Sequence, residues 1–273
     1  PRSGFDMTSD QTYQEMNDFI REFVEILDTE LKLRWESWQL AMEEIEKFEV
    51  LGGLLGRQVT LCTQIAQSPS IWNGHIAPIL LRSMVDNYIT IAWIFESPLE
   101  RAQKFIAHGL GQEKLNFEHL KSKYDEMGVK FEENEHLQAY QRWIDSQKFH
   151  FLTTVDLGSW SGLTTRKMAE DSNNLDIYNH AYQPFSIATH SSWAHISRYN
   201  FTHCKSVLHR FHRIPANPKF SPDIDYLYRA SKYLAKTIKL FDEKTKNNCQ
   251  RPPISEKVEA FIETFGRESE SKS

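Results

Sequence analysis

The sequence has few of the residues that build turns and strands. Its 273 residues include only 11 glycines and 10 prolines, which favours few chain reversals and long elements between them. No long run alternates between apolar and polar side chains, which is the pattern of a half-buried strand. A hydrophobic content of 40% and a charged content of 25% are ordinary for a globular protein. We therefore predict an all-α protein.

Cysteines and long apolar runs are also scarce. Cys62, Cys204 and Cys249 are widely spaced and odd in number, so they form neither a disulfide framework nor a metal-binding pattern. This use of cysteine is typical of a reducing compartment. No apolar run approaches the roughly 20 residues that a membrane span needs, and no secretory signal is visible. The sequence predicts a cytoplasmic protein without a membrane partner.

Charge is distributed unevenly along the chain, although the net charge is only −5. Residues 1–50 contain 13 acidic and 5 basic side chains, whereas residues 196–252 contain 12 basic and 4 acidic ones. Two interpretations stay open. The two regions pack together or cover separate surfaces, or the basic region binds phosphate, RNA or an acidic protein partner. The net negative charge of the whole chain weakens the nucleic-acid hypothesis.

Apolar side chains recur every three or four residues along most of the chain, which predicts amphipathic helices. The first helix covers residues 10–50 with a break near Trp35, and Gly52 and Gly53 are expected to interrupt the helical pattern after residue 50. Residues 74–96 are apolar nearly all round and are expected to form the central helix. Further helices are predicted over residues 98–127, 132–147, 174–190, 192–211, 223–246 and 255–265.

The chain has no internal repeat and no linker long enough to divide domains. We therefore predict that residues 7–265 form a single bundle-like helical domain. Residues 1–6 precede Met7 and look like a remnant of protein expression. Residues 266–273 are polar and charged, which predicts a disordered tail.

Polar side chains recur every four residues on the helix predicted over residues 174–190. They are Tyr178, Tyr182, Ser186 and His190, here called the polar column. Four residues advance about 40° around a helix, so these groups share one face. Burying a hydroxyl or an imidazole without a partner costs about 1–3 kcal/mol. The polar column therefore needs either a structural hydrogen-bond network or a ligand, and both interpretations stay open.

Arg82 and Asp86 lie four residues apart on the predicted central helix and can pair along it. Together with the polar column they would form a site between two packed helices. In that site Asp86 would orient His190, Ser186 would donate or accept a proton, and Arg82 and Tyr182 would bind an anion. The alternative is that the same side chains fix the register of the helices.

The one long irregular stretch covers residues 148–162 and carries several aromatic side chains. Loops carry binding residues more often than scaffold elements do, so this stretch is expected to act as a lid, with Trp160 against the ligand. After it, Thr164 or Thr165 is expected to cap a short helix.

Two blocks of sequence resemble the uncharacterised bacterial proteins grouped as domain of unknown function 5677. The first is Leu80-Leu81-Arg82-Ser83-Met84-Val85-Asp86-Asn87-Tyr88, followed by Trp93-Ile94. The second consists of Trp160, Ser161, Gly162, Arg166, Ala169, Tyr182, Ser186 and His190. The resemblance covers about residues 75–205 and implies a bacterial, intracellular helical protein encoded near antiphage or stress-response genes. It implies no chemistry. The acid here is Asp86, where family members more often have Glu.

Motifs for metal and cofactor chemistry are weak in this chain. His209-x-x-His212 and the His190/His195 pair are present, but no pair of cysteines accompanies them, and we predict no metal site. The glycines at residues 52–56 are not followed by the Lys-Ser/Thr of a phosphate-binding loop. No Gly-x-Ser-x-Gly sequence occurs either. We predict no cofactor.

A ribonuclease is the alternative function. Some small helical ribonuclease toxins combine an Arg with a His after four to six intervening residues, so that Arg steadies a phosphate while His moves a proton. Arg101–His108 and Arg198–His203 fit this spacing, although chance alone produces about as many matches. In a regular helix the first pair points within about 20° and the second about 140° apart. Such a toxin would act as a dimer.

The leading hypothesis is a binding or regulatory protein that acts in antiphage defence or a stress response. Its partner would be another protein or a small anionic ligand bound between Arg82 and the polar column.

Overall fold

The computed structural model describes residues 10–39, 41–151, 160–209, 211–247, 249 and 251–271. These residues are mostly helical, so the prediction of an all-α protein is confirmed. The helices are α1 (Asp10–Ser37), α2 (Ile45–Ala66), α3 (Ala77–Phe95), α4 (Pro98–Glu126), α5 (Glu135–Phe151), α6 (Thr165–Asp171), α7 (Leu175–Ile177), α8 (Gln183–Thr189), α9 (Trp193–Tyr199), α10 (Asp225–Thr245) and α11 (Ile254–Ser271). A two-stranded sheet consists of β1 (Phe201–His203) and β2 (Arg213–Pro215). Across the described ranges, no helix combines the length and apolarity needed to cross a lipid bilayer.

The central helix is α3, as the sequence predicts. Its side chains are buried nearly all round, and α2, α4, α6, α8 and α10 pack against it. Pro78 lies in its first turn, where the missing N–H costs no helical hydrogen bond. Because α3 contacts so many neighbours, its few polar side chains lie where helices meet.

Trp35 packs where the first two helices approach each other. As predicted, the first helix ends close to this residue, at Ser37. The expected interruption by glycine is wrong, since α2 continues through Gly52 and Gly53. A Cβ at Gly52 would overlap the Trp35 ring. Gly52 therefore serves the close approach of two helices and does not end one.

The helix predicted over residues 174–190 is formed, but it is not regular. α7 passes into a π-helical segment, Tyr178–Tyr182, and this passes into α8. Pro184 lies in the first turn of α8 and has no N–H to donate to the carbonyl one α-helical turn back. A proline inside a helical pattern is typical of a kink, and the structure has a widened turn just before Pro184.

The single helix predicted over residues 192–211 is wrong. α9 ends at Tyr199, and an antiparallel hairpin follows in which Phe201 lies opposite Pro215. The apolar side chains of the hairpin tip are more than 90% exposed; these are Val207, Leu208 and Phe211. Because helices in proteins depend mainly on burying an apolar face, these residues give a helix no support.

The acidic and basic regions of the chain are in contact. Arg34 of α1 pairs with Asp242 of α10 at 2.7 Å, and Arg251 pairs with Glu30 at 2.8 Å. The helix predicted over residues 223–246 corresponds to α10. These ion pairs agree with the interpretation that the two regions pack together.

Some predicted boundaries differ from the structure or lie outside it. α5 continues to Phe151, so the irregular stretch begins later than residue 148, and residues 152–159 lie outside the described ones. α11 reaches Ser271, beyond the predicted start of a disordered tail at residue 266. The proposed expression remnant, residues 1–6, lies outside the described residues.

Candidate functional site

Arg82 and Asp86 lie one turn apart on α3, at the edge of the core. Their side chains are 19% and 40% exposed, and Arg82 Nη1 lies 3.8 Å from Asp86 Oδ2. This separation allows an ion pair but exceeds the length of a hydrogen bond. The two charges therefore attract one another, but Arg82 and Asp86 do not form a hydrogen bond with each other.

Tyr182 and Ser186 approach Arg82 from the neighbouring segment of chain. Arg82 Nε donates to Ser186 Oγ at 3.0 Å, and Arg82 Nη2 donates to the Tyr182 hydroxyl. The Arg82 Cζ lies 4.2 Å from the centroid of the Tyr182 ring, within the range of a cation–π interaction. The structure thus brings the central helix and part of the polar column together around one guanidinium.

The backbone positions both hydroxyls. Tyr182 is the last residue of the π-helical segment, and its ring stacks on Tyr178 with centroids 4.9 Å apart. Ser186 lies one turn further on in α8, and its hydroxyl donates to the Tyr182 carbonyl at 2.7 Å. π-Helical turns are rare in proteins, and those that do occur are often found at functional sites. The π-helical segment and the contacts of Arg82 therefore point to the same candidate site.

Thr165 is the partner of Asp86 that sequence patterns did not identify. Its hydroxyl donates to Asp86 Oδ1 at 3.4 Å and accepts from the Tyr182 hydroxyl at 3.4 Å. The neighbouring Thr164 caps α6 by accepting from the Lys167 N–H at 3.2 Å. The sequence offered Thr165 only as an alternative cap. Its contact with α3 depends on how α6 packs.

The carboxyl group of Asp86 is electrostatically unusual. Although 40% of the Asp86 side chain is exposed, the protein atoms packed around its carboxyl group exclude water, which raises the pKa of Asp86 because it disfavours the charged form. The Arg82 charge and the Thr165 hydrogen bond oppose this effect without cancelling it. Asp86 is therefore easier to protonate than an exposed aspartate, although it lies beside an arginine.

His190 is not part of this group. It is the residue after α8, its side chain is exposed, and its backbone N–H donates to the Ser186 carbonyl at 3.0 Å. Within the described residues, its imidazole makes no contact with Asp86. In the part of the chain that the structure describes, the expected arrangement in which Asp86 orients His190 is not formed, and the imidazole of His190 is exposed at the end of α8.

Trp160 packs elsewhere along α3. Its ring contacts Trp93 edge-on at 5.4 Å and Phe105 at 5.0 Å. Trp93 follows Arg82 by eleven residues, which is about 16 Å along a helix. Trp160 therefore joins the apolar core between α3 and α4, and the structure does not bring it to Arg82.

The two Arg–His pairs differ in their surroundings. The Arg101 Cζ lies 3.8 Å from the Trp93 ring centroid, and Arg101 donates to the Trp93 carbonyl. His108 lies two turns further along α4 and is half-buried. Arg198 is exposed at the end of α9, and His203 is exposed at the end of β1. Neither pair joins the Arg82 group.

A buried arginine, Arg34, lies under a cleft of about 770 Å³ between α1, α10 and a segment that contains Cys249 and residues 251–254. Arg34 directs four N–H groups to Glu30 and Asp242, at 2.5 to 3.2 Å. Burial raises the pKa of Asp242, and Arg34 opposes that shift. With four of its five donors filled, Arg34 has the environment of a structural ion pair. The i,i+4 spacing of Glu30 and Arg34 was the available sequence signal.

The hairpin collects three potential metal ligands that sequence analysis did not connect. The ligand atoms of Cys204, His209 and His212 all lie within 4.8 Å of one another. This cluster contains only one cysteine, so the sequence shows no cysteine pair that would mark it as a metal site.

Comparison with known proteins places the Arg82 group within a matched region. No curated protein and no solved structure matches the chain significantly. Residues 48–206 match the model of a family described as Family of unknown function (DUF5677). The match includes α3, α6 and α8, and it excludes α1 and α10, which enclose the cleft above Arg34. Because the match covers more than half of the 273 residues, the chain belongs to this family of unknown function.

Proposed function

We propose that the protein is a binding module that recognises a small anionic ligand, a carboxylate or a phosphate, through Arg82. The observation that carries the proposal is the number of N–H groups on the Arg82 guanidinium that have an acceptor. A guanidinium has five N–H donors. In Arg82, two of these donors form hydrogen bonds with described residues. The remaining donors belong to a side chain that is held in place and is 19% exposed.

The fixed position of Arg82 favours binding. Tyr182 and Ser186 hold the guanidinium through its ring contact and its hydrogen bonds, so less side-chain entropy is lost when an anion binds. The planar fork of arginine matches the two oxygens of a carboxylate or a phosphate. Arg34, in contrast, has one donor left and lies almost fully buried.

Asp86 gives the proposed site a pH response. Its negative charge lies 3.8 Å from Arg82 and opposes the approach of a second anion. Because its pKa is raised, the opposing charge disappears at a higher pH than for an ordinary aspartate. Anion binding should therefore strengthen as the pH falls through the raised pKa.

The proposal is tested by thermal-shift and calorimetric titration with inorganic phosphate, pyrophosphate and succinate. A ligand at 100 times its Kd stabilises the folded state by about 2.7 kcal/mol. We expect stabilisation in the wild type and none in Arg82→Gln. Arg57→Gln is the matched control, because Arg57 is an exposed arginine of α2 outside the group. Equal binding by Arg82→Gln, or no binding of any of these anions at millimolar concentration, contradicts the proposal.

The cellular part of the proposal comes from the family resemblance. In this part of the proposal, the protein is cytoplasmic, has a regulatory role in antiphage defence or a stress response, and acts with a protein partner. Phage challenge of cells that carry the wild-type gene or the Arg82→Gln gene tests this part. Equal protection by both would separate the defence role from the Arg82 site.

A metal-independent ribonuclease dimer remains the rival hypothesis. The observation in its favour is that Arg198 and His203 are both exposed within the basic region 196–252. Incubation with total RNA, with His108→Ala, His190→Ala and His203→Ala variants, tests it. Cleavage abolished only in His203→Ala would support the rival, and absence of cleavage would favour the binding module.

A further inference from the structure

Cys204, His209 and His212 come together because of the hairpin backbone. The Cys204 N–H donates to the His212 carbonyl at 2.9 Å, so strand pairing continues beyond β1 and β2. A 3-10 turn, Val207–His209, then reverses the chain, and the His212 N–H donates to the His209 carbonyl at 2.8 Å. Three side chains separated by four and two residues therefore share one end of the hairpin.

The distances are close to those of a metal site. Cys204 Sγ lies 3.9 Å from His209 Nδ1, and the rings of His209 and His212 have centroids 5.5 Å apart. With Zn–S of about 2.3 Å and Zn–N of about 2.0–2.1 Å, tetrahedral ligand atoms lie about 3.5 Å apart. Both histidines are exposed, so rotation of their side chains can close the remaining gap.

The surroundings of the sulfur also suit a ligand. The Ser206 N–H donates to Cys204 Sγ at 3.5 Å. This hydrogen bond holds the sulfur at the end of the hairpin where the two imidazoles lie. Among the common divalent cations, zinc is the one for which a combination of thiolate and imidazole ligands is typical.

Arg213 ties the strands of the hairpin to α9 by donating to the Ser197 carbonyl at 3.0 Å, whereas the described side chains of the tip have little packing to hold them. Each strand has three residues, and an isolated two-stranded hairpin is only marginally stable in water. The apolar side chains at its tip are more than 90% exposed, so they form no core beneath it. A metal ion that joins both arms would hold the tip in one conformation, as it does in other small units.

We propose that Cys204, His209 and His212 bind one Zn²⁺ ion that fixes the tip of the hairpin. Three protein ligands leave a fourth tetrahedral position, which water or a donor from a partner can fill. The site is independent of the Arg82 group, and two of its residues lie beyond the part of the chain that matches the family model.

The test is a Co²⁺ titration of the full-length, tag-free and chelator-treated protein, followed by competition with Zn²⁺. One equivalent of Co²⁺ should bind, with tetrahedral d–d bands in the visible spectrum and a thiolate-to-cobalt charge-transfer band in the near ultraviolet. Zn²⁺ should displace the Co²⁺ with loss of both signals. Affinity should fall at acid pH, because protons compete with the metal for its ligands.

Variants separate this site from nonspecific binding. Cys204→Ser should remove the charge-transfer band, and His212→Gln should weaken binding by at least about tenfold. Cys249→Ser and His203→Ala are the controls, since they remove another half-buried thiol and a neighbouring exposed histidine. Circular dichroism checks that each variant is folded, and His209→Gln replaces any variant that is not. Two results overturn the proposal: the wild type binds less than one equivalent of Co²⁺, or the Cys204→Ser variant still binds Co²⁺ and still shows the charge-transfer band.

Discussion

Removing the two hydroxyls that accept from Arg82 should cost little stability, and this distinguishes a site from a scaffold. A hydrogen bond to a charged group contributes about 1.5–3 kcal/mol when it is buried. Because Arg82 is 19% exposed, water can replace a lost acceptor. We therefore expect Tyr182→Phe and Ser186→Ala each to lower the free energy of unfolding by about 1 kcal/mol.

Urea denaturation measures this effect. With an m value of about 3 kcal/mol/M, a loss of 1 kcal/mol lowers the midpoint by about 0.3 M. Since both hydroxyls contact the same guanidinium, the double variant should depart from additivity by about 0.5–1 kcal/mol. Tyr178→Phe is the matched control, because the Tyr178 hydroxyl has no hydrogen-bond partner within the described part of the chain. It should change stability by less than about 0.5 kcal/mol.

The opposite result would refute the reasoning. If either single variant loses more than about 3 kcal/mol, Tyr182 and Ser186 belong to a buried network that fixes the helices. Arg82 would then be a structural residue like Arg34, and its remaining N–H groups would be no evidence for a ligand.

Two further predictions concern Asp86 and the glycines of α2. In the pH range where phosphate keeps a single charge, Asp86→Asn should bind phosphate with little pH dependence, whereas wild-type affinity falls as the pH rises through the raised pKa; equal pH profiles in calorimetry would contradict this. The folded protein binds this proton more tightly than the unfolded chain, so the stabilising contribution of Asp86 is present at low pH and lost as the pH rises through the raised pKa. At neutral pH, Asp86→Asn should therefore not lower the melting temperature. Gly52→Ala should lose about 1–3 kcal/mol by overlap with the Trp35 ring, whereas Gly53→Ala, which meets no atom within 4 Å, should gain up to about 1 kcal/mol of helix propensity. Urea melts that rank these variants in the reverse order would exclude this explanation of the glycines.

The hairpin shows where local pattern stops being informative. Apolar residues at helical spacing between Ser192 and Phe211 predict a helix, but the structure buries only the first part, around His195. An apolar side chain stabilises a helix only if a neighbour covers it, and the sequence does not state which faces are covered. The proximity of Cys204 to His209 and His212 follows from the same reversal, so it could not be predicted either.

What the sequence by itself determined is local. The predominance of helix and the one-turn spacing of Arg82 and Asp86 follow from residue periodicity, and the central position of α3 follows from apolar side chains on nearly all of its faces. Only the tertiary structure decided which members of the polar column meet α3. The π-helical segment and the end of α8 bring Tyr182 and Ser186 to Arg82 and leave His190 exposed. The physical reason is that a contact between distant residues depends on where each helix bends and ends, and packing against the rest of the molecule sets those points.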